Sequence, residues 1–210
     1  MPANPLLLIA AFLAVVSLGS LRYRPYPGSF LVKSAPILCL AAAAFSLVKG
    51  PEHPWLGIAL LFSAGGDIAL DFYRGRSERF FLLGLGLFWI AHLFYMVAFT
   101  RTFQLFGAPL WLLAPVLSAV ALLVWQLSPR LGRLRRPVLL YIAVITGMVV
   151  SAVGHAPTHG WLIAGALTFM LSDSLIAVDK FLRPVPARDL AILSSYYVAQ
   201  WLITLSFVMG

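Results

Sequence analysis

Apolar runs of about 18–22 residues recur along this chain, and a run of that length crosses the hydrocarbon of a bilayer as a helix. Eight can be read, at roughly residues 4–21, 29–48, 55–73, 80–100, 107–127, 137–153, 161–179 and 189–209. In lipid every backbone N–H and C=O must find an internal partner, so spans of this kind are helices. The expected fold is therefore all-α: a polytopic membrane bundle of eight transmembrane helices forming a single transmembrane domain, residues 1–210. No linker or soluble domain fits between the runs. Composition agrees. Hydrophobic residues make up 61% of the chain and charged residues 10%, against about 45–50% and 25% in a soluble domain.

The basic residues set a direction. Twelve follow spans one, three, five and seven: Arg22, Arg24, Arg74, Arg76, Arg79, Arg130, Arg133, Arg135, Arg136, Lys180, Arg183 and Arg188. Two, Lys49 and Arg101, follow spans two and four. Loops rich in Lys and Arg stay in the cytoplasm, so both termini are expected outside. Trp55, Trp111 and Trp161 then fall at the outer helix ends, where interfacial tryptophans belong. This dispersal also accounts for the net charge of +8 without a nucleic-acid partner. The first run carries its charges, Arg22 and Arg24, after the apolar stretch, which reads as a first span and not as a signal peptide. The single cysteine, Cys39, reads as a small buried hydrophobe.

Topology converts position to depth at about 1.5 Å per residue. Asp67 on span three and Asp173 on span seven each lie roughly 9 Å inside the cytoplasmic surface. Lys33, Tyr141, Tyr196 and Tyr197 fall at about 6–12 Å, with His92 and Gln200 deeper, at roughly 15–18 Å. Asp71 is one turn from Asp67, on the same face and nearer the interface. An ionised group at the bilayer centre costs about 2.5–3.5 kcal/mol, so these groups should face one another around a wet hollow. Such a cluster fits acid–base catalysis, a proton relay or transport path, a lipid-binding site, or a Lys–Asp tie between helices. His155 and His159 have a ligand-like separation, but they lie in an outer loop broken by Pro157 with no carboxylate or cysteine beside them. A metal is not expected there.

Four blocks, "LLFSAGGDIAL", "RFFLLGLGLFWIAHLFYMVAF", "GALTFMLSDSLIAVDKF" and "SYYVAQWLI", resemble the YhhN-like, lysoplasmalogenase family of multi-pass membrane proteins. The family's Gly-Asp falls on Gly66 and Asp67, its His and Tyr on His92 and Tyr95, and its Ser-Asp on Ser172 and Asp173. Its aromatic–Gln motif falls on Tyr196, Tyr197 and Gln200. Where members carry Lys-Pro this chain has "KSAP", so Lys33 matches and the proline does not. The resemblance implies hydrolysis of the vinyl-ether bond of lysoplasmalogens at the cell's inner (plasma) membrane, without a cofactor. The substrate would be a lysophospholipid, entering from the cytoplasmic leaflet. Vinyl-ether hydrolysis wants one neutral acid and one anion, and Asp67 and Asp173 in one pocket, with Lys33 beside one of them, would supply both. The lipid phosphate is expected near Arg74, Arg76, Arg79 or Arg183.

Overall fold

The computed structural model describes residues 4–50, 53–73, 78–104, 108–155 and 160–209. Within them are eight long helices: α1 (Pro5–Gly19), α2 (Ser29–Leu47), α3 (His53–Tyr73), α4 (Glu78–Thr100), α5 (Leu113–Leu127), α6 (Arg135–Val153), α7 (Gly160–Phe181) and α8 (Arg188–Met209). Each, with its flanking turns, is long and apolar enough to cross a membrane, and the chain is a multi-pass membrane protein. Arg74, Arg76, Pro157 and His159 lie outside the described residues.

The helix ends follow local chemistry. Asn4 caps α1 by accepting from Leu6 N at 3.0 Å, and Pro5, lacking an N–H, takes the first helical position, where no N–H partner exists. Past its end α1 tightens into a 3₁₀ turn, Ser20–Tyr23, which curls Arg24 back over the end of the bundle.

The helices form a circuit. α1 packs on α2, α2 on α3 and α3 on α4; α4 then packs on α6, α6 on α7 and α7 on α8; α8 returns to α1 and α2. The main core is drawn from these seven helices. α5 stands outside the circuit, with Leu127 its only buried residue. Large apolar side chains such as Phe12, Leu61, Leu83 and Trp125 point outward, as hydrocarbon surroundings require. At the end opposite the basic loops, His155 is buried, its Nδ1 2.9 Å from Phe99 O and 3.1 Å from Thr102 Oγ1.

α7 and α8 approach closely at Gly165. A Cβ there would stand 3.0 Å from Ile203 N and 3.1 Å from Ala199 O, both main chain and unable to turn aside. Gly165→Ala is expected to force the two helices apart and to destabilise by about 1–3 kcal/mol, read as a lower thermal midpoint in detergent. An unchanged midpoint would mean that the helices do not touch there.

Candidate active site

Polar side chains from seven helices converge inside the circuit, in two sets. The first is built on α3. Lys33 on α2 places Nζ 3.3 Å from Asp67 Oδ1 and donates to Asp67 O at 3.2 Å. Tyr196 on α8 donates to Asp67 Oδ2 at 2.8 Å. Tyr197 donates to Lys33 O at 2.8 Å, and its hydroxyl lies 2.9 Å from Ser17 Oγ, which Arg24 also reaches at 3.2 Å. Gly66 matters here: a Cβ would stand 2.6 Å from the Phe88 ring, so its absence lets α4 close on α3 beside Asp67. The carboxylate is 1% exposed and carries a resident cation. An anion buried this deeply needs both that cation and its hydrogen bonds.

The second set joins α4, α6 and α7. Tyr141 donates to Asp173 Oδ2 at 2.5 Å. His92 Nε2 faces the same oxygen from 3.8 Å. His92 Nδ1 lies 2.5 Å from Phe88 O. A carbonyl only accepts, so Nδ1 carries hydrogen and Nε2 is left to meet Asp173. A proton on Nε2 or on Asp173 would make the facing atoms donor and acceptor, although at 3.8 Å they are not in direct hydrogen-bond contact. His92 Nε2 and Gln200 Nε2 are buried without a hydrogen-bond partner among the described residues, which leaves polar capacity for a substrate or water. Tyr95 donates to Gln200 Oε1 at 2.5 Å, and Ser172 donates to Ile192 O at 2.9 Å, fixing α7 to α8.

Aromatic rings join the sets. Phe169 packs on His92 (4.8 Å between centroids) and on Tyr196 (5.4 Å), and Phe88 touches both Phe169 and Tyr196. The sequence predicted that Asp67 and Asp173 share one hollow. The structure gives them separate partners with rings between those partners; Asp173 lies in the wall of one cavity and Lys33, the partner of Asp67, in the wall of another.

Two cavities adjoin the site. One, of about 720 Å³, is polar and opens at the end of the basic loops; Arg24, Lys33, Asp71, Lys180, Arg188 and Asp189 are in its wall. Asp71 accepts from Ser29 Oγ at 2.7 Å and lies 3.9 Å from Arg24. Asp179 accepts from Val185 N and Arg188. Lys180 stands 4.3 Å over the Phe81 ring. The second cavity is narrow and apolar, lined by Asp173, Tyr141, Ile145, Ala177 and, from α5, Val120 and Leu123. Leu70, Phe81 and Ile176 belong to both walls. The cations expected to meet phosphate, Arg79 and Arg183, are not in the polar wall; Arg24, Lys180 and Arg188 are. Sequence reasoning missed Arg24 and Ser17, although Ser17 is an isolated hydroxyl in the last turn of an otherwise apolar span. No three His, Cys, Asp or Glu side chains among the described residues gather as a metal site.

An eight-helix membrane bundle holding two carboxylates, a lysine and a histidine inside its circuit defines a polytopic membrane protein with an intramembrane polar site. The chain belongs to the YhhN family, whose family model matches residues 28–207. It is 34% identical over 203 residues to the rat protein named lysoplasmalogenase TMEM86B, covering 94% of this chain and 82% of that one. It is 35% identical over 187 residues to a Mycobacterium bovis protein named lysoplasmalogenase, covering 85% and 69%. It is 35% identical over 195 residues to human lysoplasmalogenase TMEM86A, covering 86% and 78%. No solved structure matches the chain.

Proposed function

We propose that this protein is a membrane-embedded lysoplasmalogenase, hydrolysing the vinyl-ether bond of a single-chain alkenyl glycerophospholipid. The products are a fatty aldehyde and glycerophosphoethanolamine or glycerophosphocholine. The relatives' shared name supports the reaction. The observation that carries the chemistry is Asp173, standing in the wall of an apolar cavity, hydrogen-bonded by Tyr141 and faced by His92.

Asp173 gives its proton to C2′ of the alkenyl chain, and the π electrons form the new C–H bond. C1′ and the ether oxygen then share an oxocarbenium charge. Water from the polar cavity adds to C1′ and returns a proton to Asp173. The hemiacetal collapses by breaking the C1′–O bond, its hydroxyl proton passing to the departing glycerol oxygen. Tyr141 holds the carboxyl in place and His92 faces it. Asp67 acts as a positioning residue: it orients Lys33 toward the polar cavity and Tyr196 against Phe169. Tyr95, Ser172, Tyr197 and Gln200 fix the helices that carry these groups. The chain works as one membrane domain in the plasma membrane, both termini outside, with the polar cavity open to the cytoplasmic leaflet.

Purified protein incubated with 1-alkenyl lysolipid is expected to release aldehyde. In D₂O the trapped aldehyde should carry one deuterium on its α-carbon, from protonation at C2′. In H₂¹⁸O the released glycerol should carry no ¹⁸O, because C1′–O is the bond that breaks. Aldehyde without deuterium would sink carbon protonation; no aldehyde would sink the activity.

A further inference from the structure

The two adjoining cavities have opposite character, and their common wall is Leu70, Phe81 and Ile176. That is the shape of an amphiphile: charged at one end, hydrocarbon at the other, with the reacting bond where they meet. The geometry points to the apolar cavity beneath α5 as the binding site for the lipid's hydrocarbon chain, with α5 as the lateral lid through which the chain enters. This rests on the proposed activity for its substrate but adds the chain's path and its selectivity.

Three features single out this cavity. It holds a carboxylate at its wall, Asp173 with Tyr141, so a chain lying in it presents its first carbons to a proton donor. It adjoins the polar cavity across Leu70, Phe81 and Ile176, and Arg24, Lys180 and Arg188 stand in that cavity's wall, placed for a phosphate. The competing apolar groove lies between α1, α2 and α8, around Ala14, Ile37 and Trp201. It shares no wall with the polar cavity, and its polar groups are occupied: Tyr197 by Ser17 and Lys33 O, Trp201 by Leu7 O.

The apolar cavity is narrow as it stands, about 60 Å³ against about 720 Å³ for the polar one. A long chain fits only if a wall moves. Val120 and Leu123 of α5 close the cavity, and α5 buries only Leu127, so its outward displacement disrupts the least packing of any helix. Released chain space would be continuous with membrane hydrocarbon.

The test uses a lysolipid with a saturated alkyl ether in place of the vinyl ether and a diazirine at the chain end, so that binding is read without turnover. Photolysis of the detergent-solubilised protein is expected to label peptides of α5, α6 or α7 around Val120, Ile142 and Ala177. Labelling confined to α1, α2 and α8 would overturn the assignment, whatever the vinyl-ether assay gives. Chain-length profiles supply the second reading. Ala177→Phe and Val120→Phe each narrow the cavity. Either, if folded, should lower the kcat/KM ratio of an 18-carbon to a 12-carbon alkenyl substrate about tenfold or more, since single methylenes in a closed apolar pocket discriminate by about that much. Ala14→Phe, in the other groove, should leave the ratio unchanged. The reverse pattern, with Ala14→Phe shifting the ratio and both narrowing variants silent, would place the chain on α1 and sink the proposal.

Discussion

Asp173→Asn is expected to lower aldehyde release from a 1-alkenyl lysolipid by about 10²–10⁴-fold, the range that a positioned proton donor supplies. The substitution is close to isosteric. The amide oxygen still accepts from Tyr141, whose hydroxyl lies 2.5 Å away, so the packing of α6 on α7 should persist. An amide, however, cannot release a proton to carbon. The loss should therefore appear in kcat, with binding of the saturated alkyl-ether analogue and the thermal midpoint nearly unchanged. Tyr141→Phe should act in the same direction but less, because it removes one hydrogen bond to the carboxyl and not the acid itself. Turnover by a folded Asp173→Asn protein within threefold of the unsubstituted chain would remove Asp173 from the chemistry. The donor would then have to be sought among the groups of the polar cavity.

Much of the architecture was legible because bilayer physics leaves few choices. Eight runs of spanning length could only be helices, and the observed helices overlap all eight expected ranges. The fifth run, Leu-rich and without charged residues, proved to be the helix standing outside the circuit. Relative level along the bundle was legible as well. Counting residues from the basic loops put Lys33 near the level of Asp67, and the two meet at 3.3 Å. Lateral neighbourhood was not legible, since depth says nothing about which helices adjoin. α4 skips α5 to pack on α6, and that step brings Tyr141 to Asp173 and leaves Asp67 with α2 and α8. A shared hollow for both carboxylates was the simplest reading of equal depth, and helix order around the circuit divides it. The cations in the wall of the polar cavity were not the ones expected, for a related reason. A loop cation can turn over the bundle or out to the membrane surface, and the 3₁₀ turn that brings Arg24 inward leaves only a faint mark, Ser17 before it and Ser20 at its start. Ser20 donates to Ser17 O at 2.7 Å in that turn.

The division of the site makes Lys33 and Asp67 a test of architecture separate from the chemistry at Asp173. Lys33→Met keeps most of the side chain's length and apolar stem but removes the ammonium, leaving Asp67, 1% exposed, without its cation. Breaking one side of a buried ion pair costs about 3–5 kcal/mol, while removing both charges is often close to neutral. Lys33→Met is therefore expected to lower stability in a detergent–SDS unfolding series by that amount. Lys33→Met combined with Asp67→Asn should recover most of it, since Asn still accepts from Tyr196 and no longer carries an unpaired charge. Two independent costs that simply add would show that the pair does not exist as a buried unit. Activity should not follow stability back. Lys33 stands in the wall of the polar cavity, so the refolded double variant still lacks a cation where the lipid's polar end lies. It should show a raised KM for the lysolipid while Asp173, with Tyr141 and His92 untouched, keeps most of its kcat. A double variant that regained both stability and KM would mean that the Lys–Asp pair only ties α2 to α3. A double variant that lost kcat as severely as Asp173→Asn would instead put Asp67 at the reacting bond, and with it the undivided hollow that equal depth first implied.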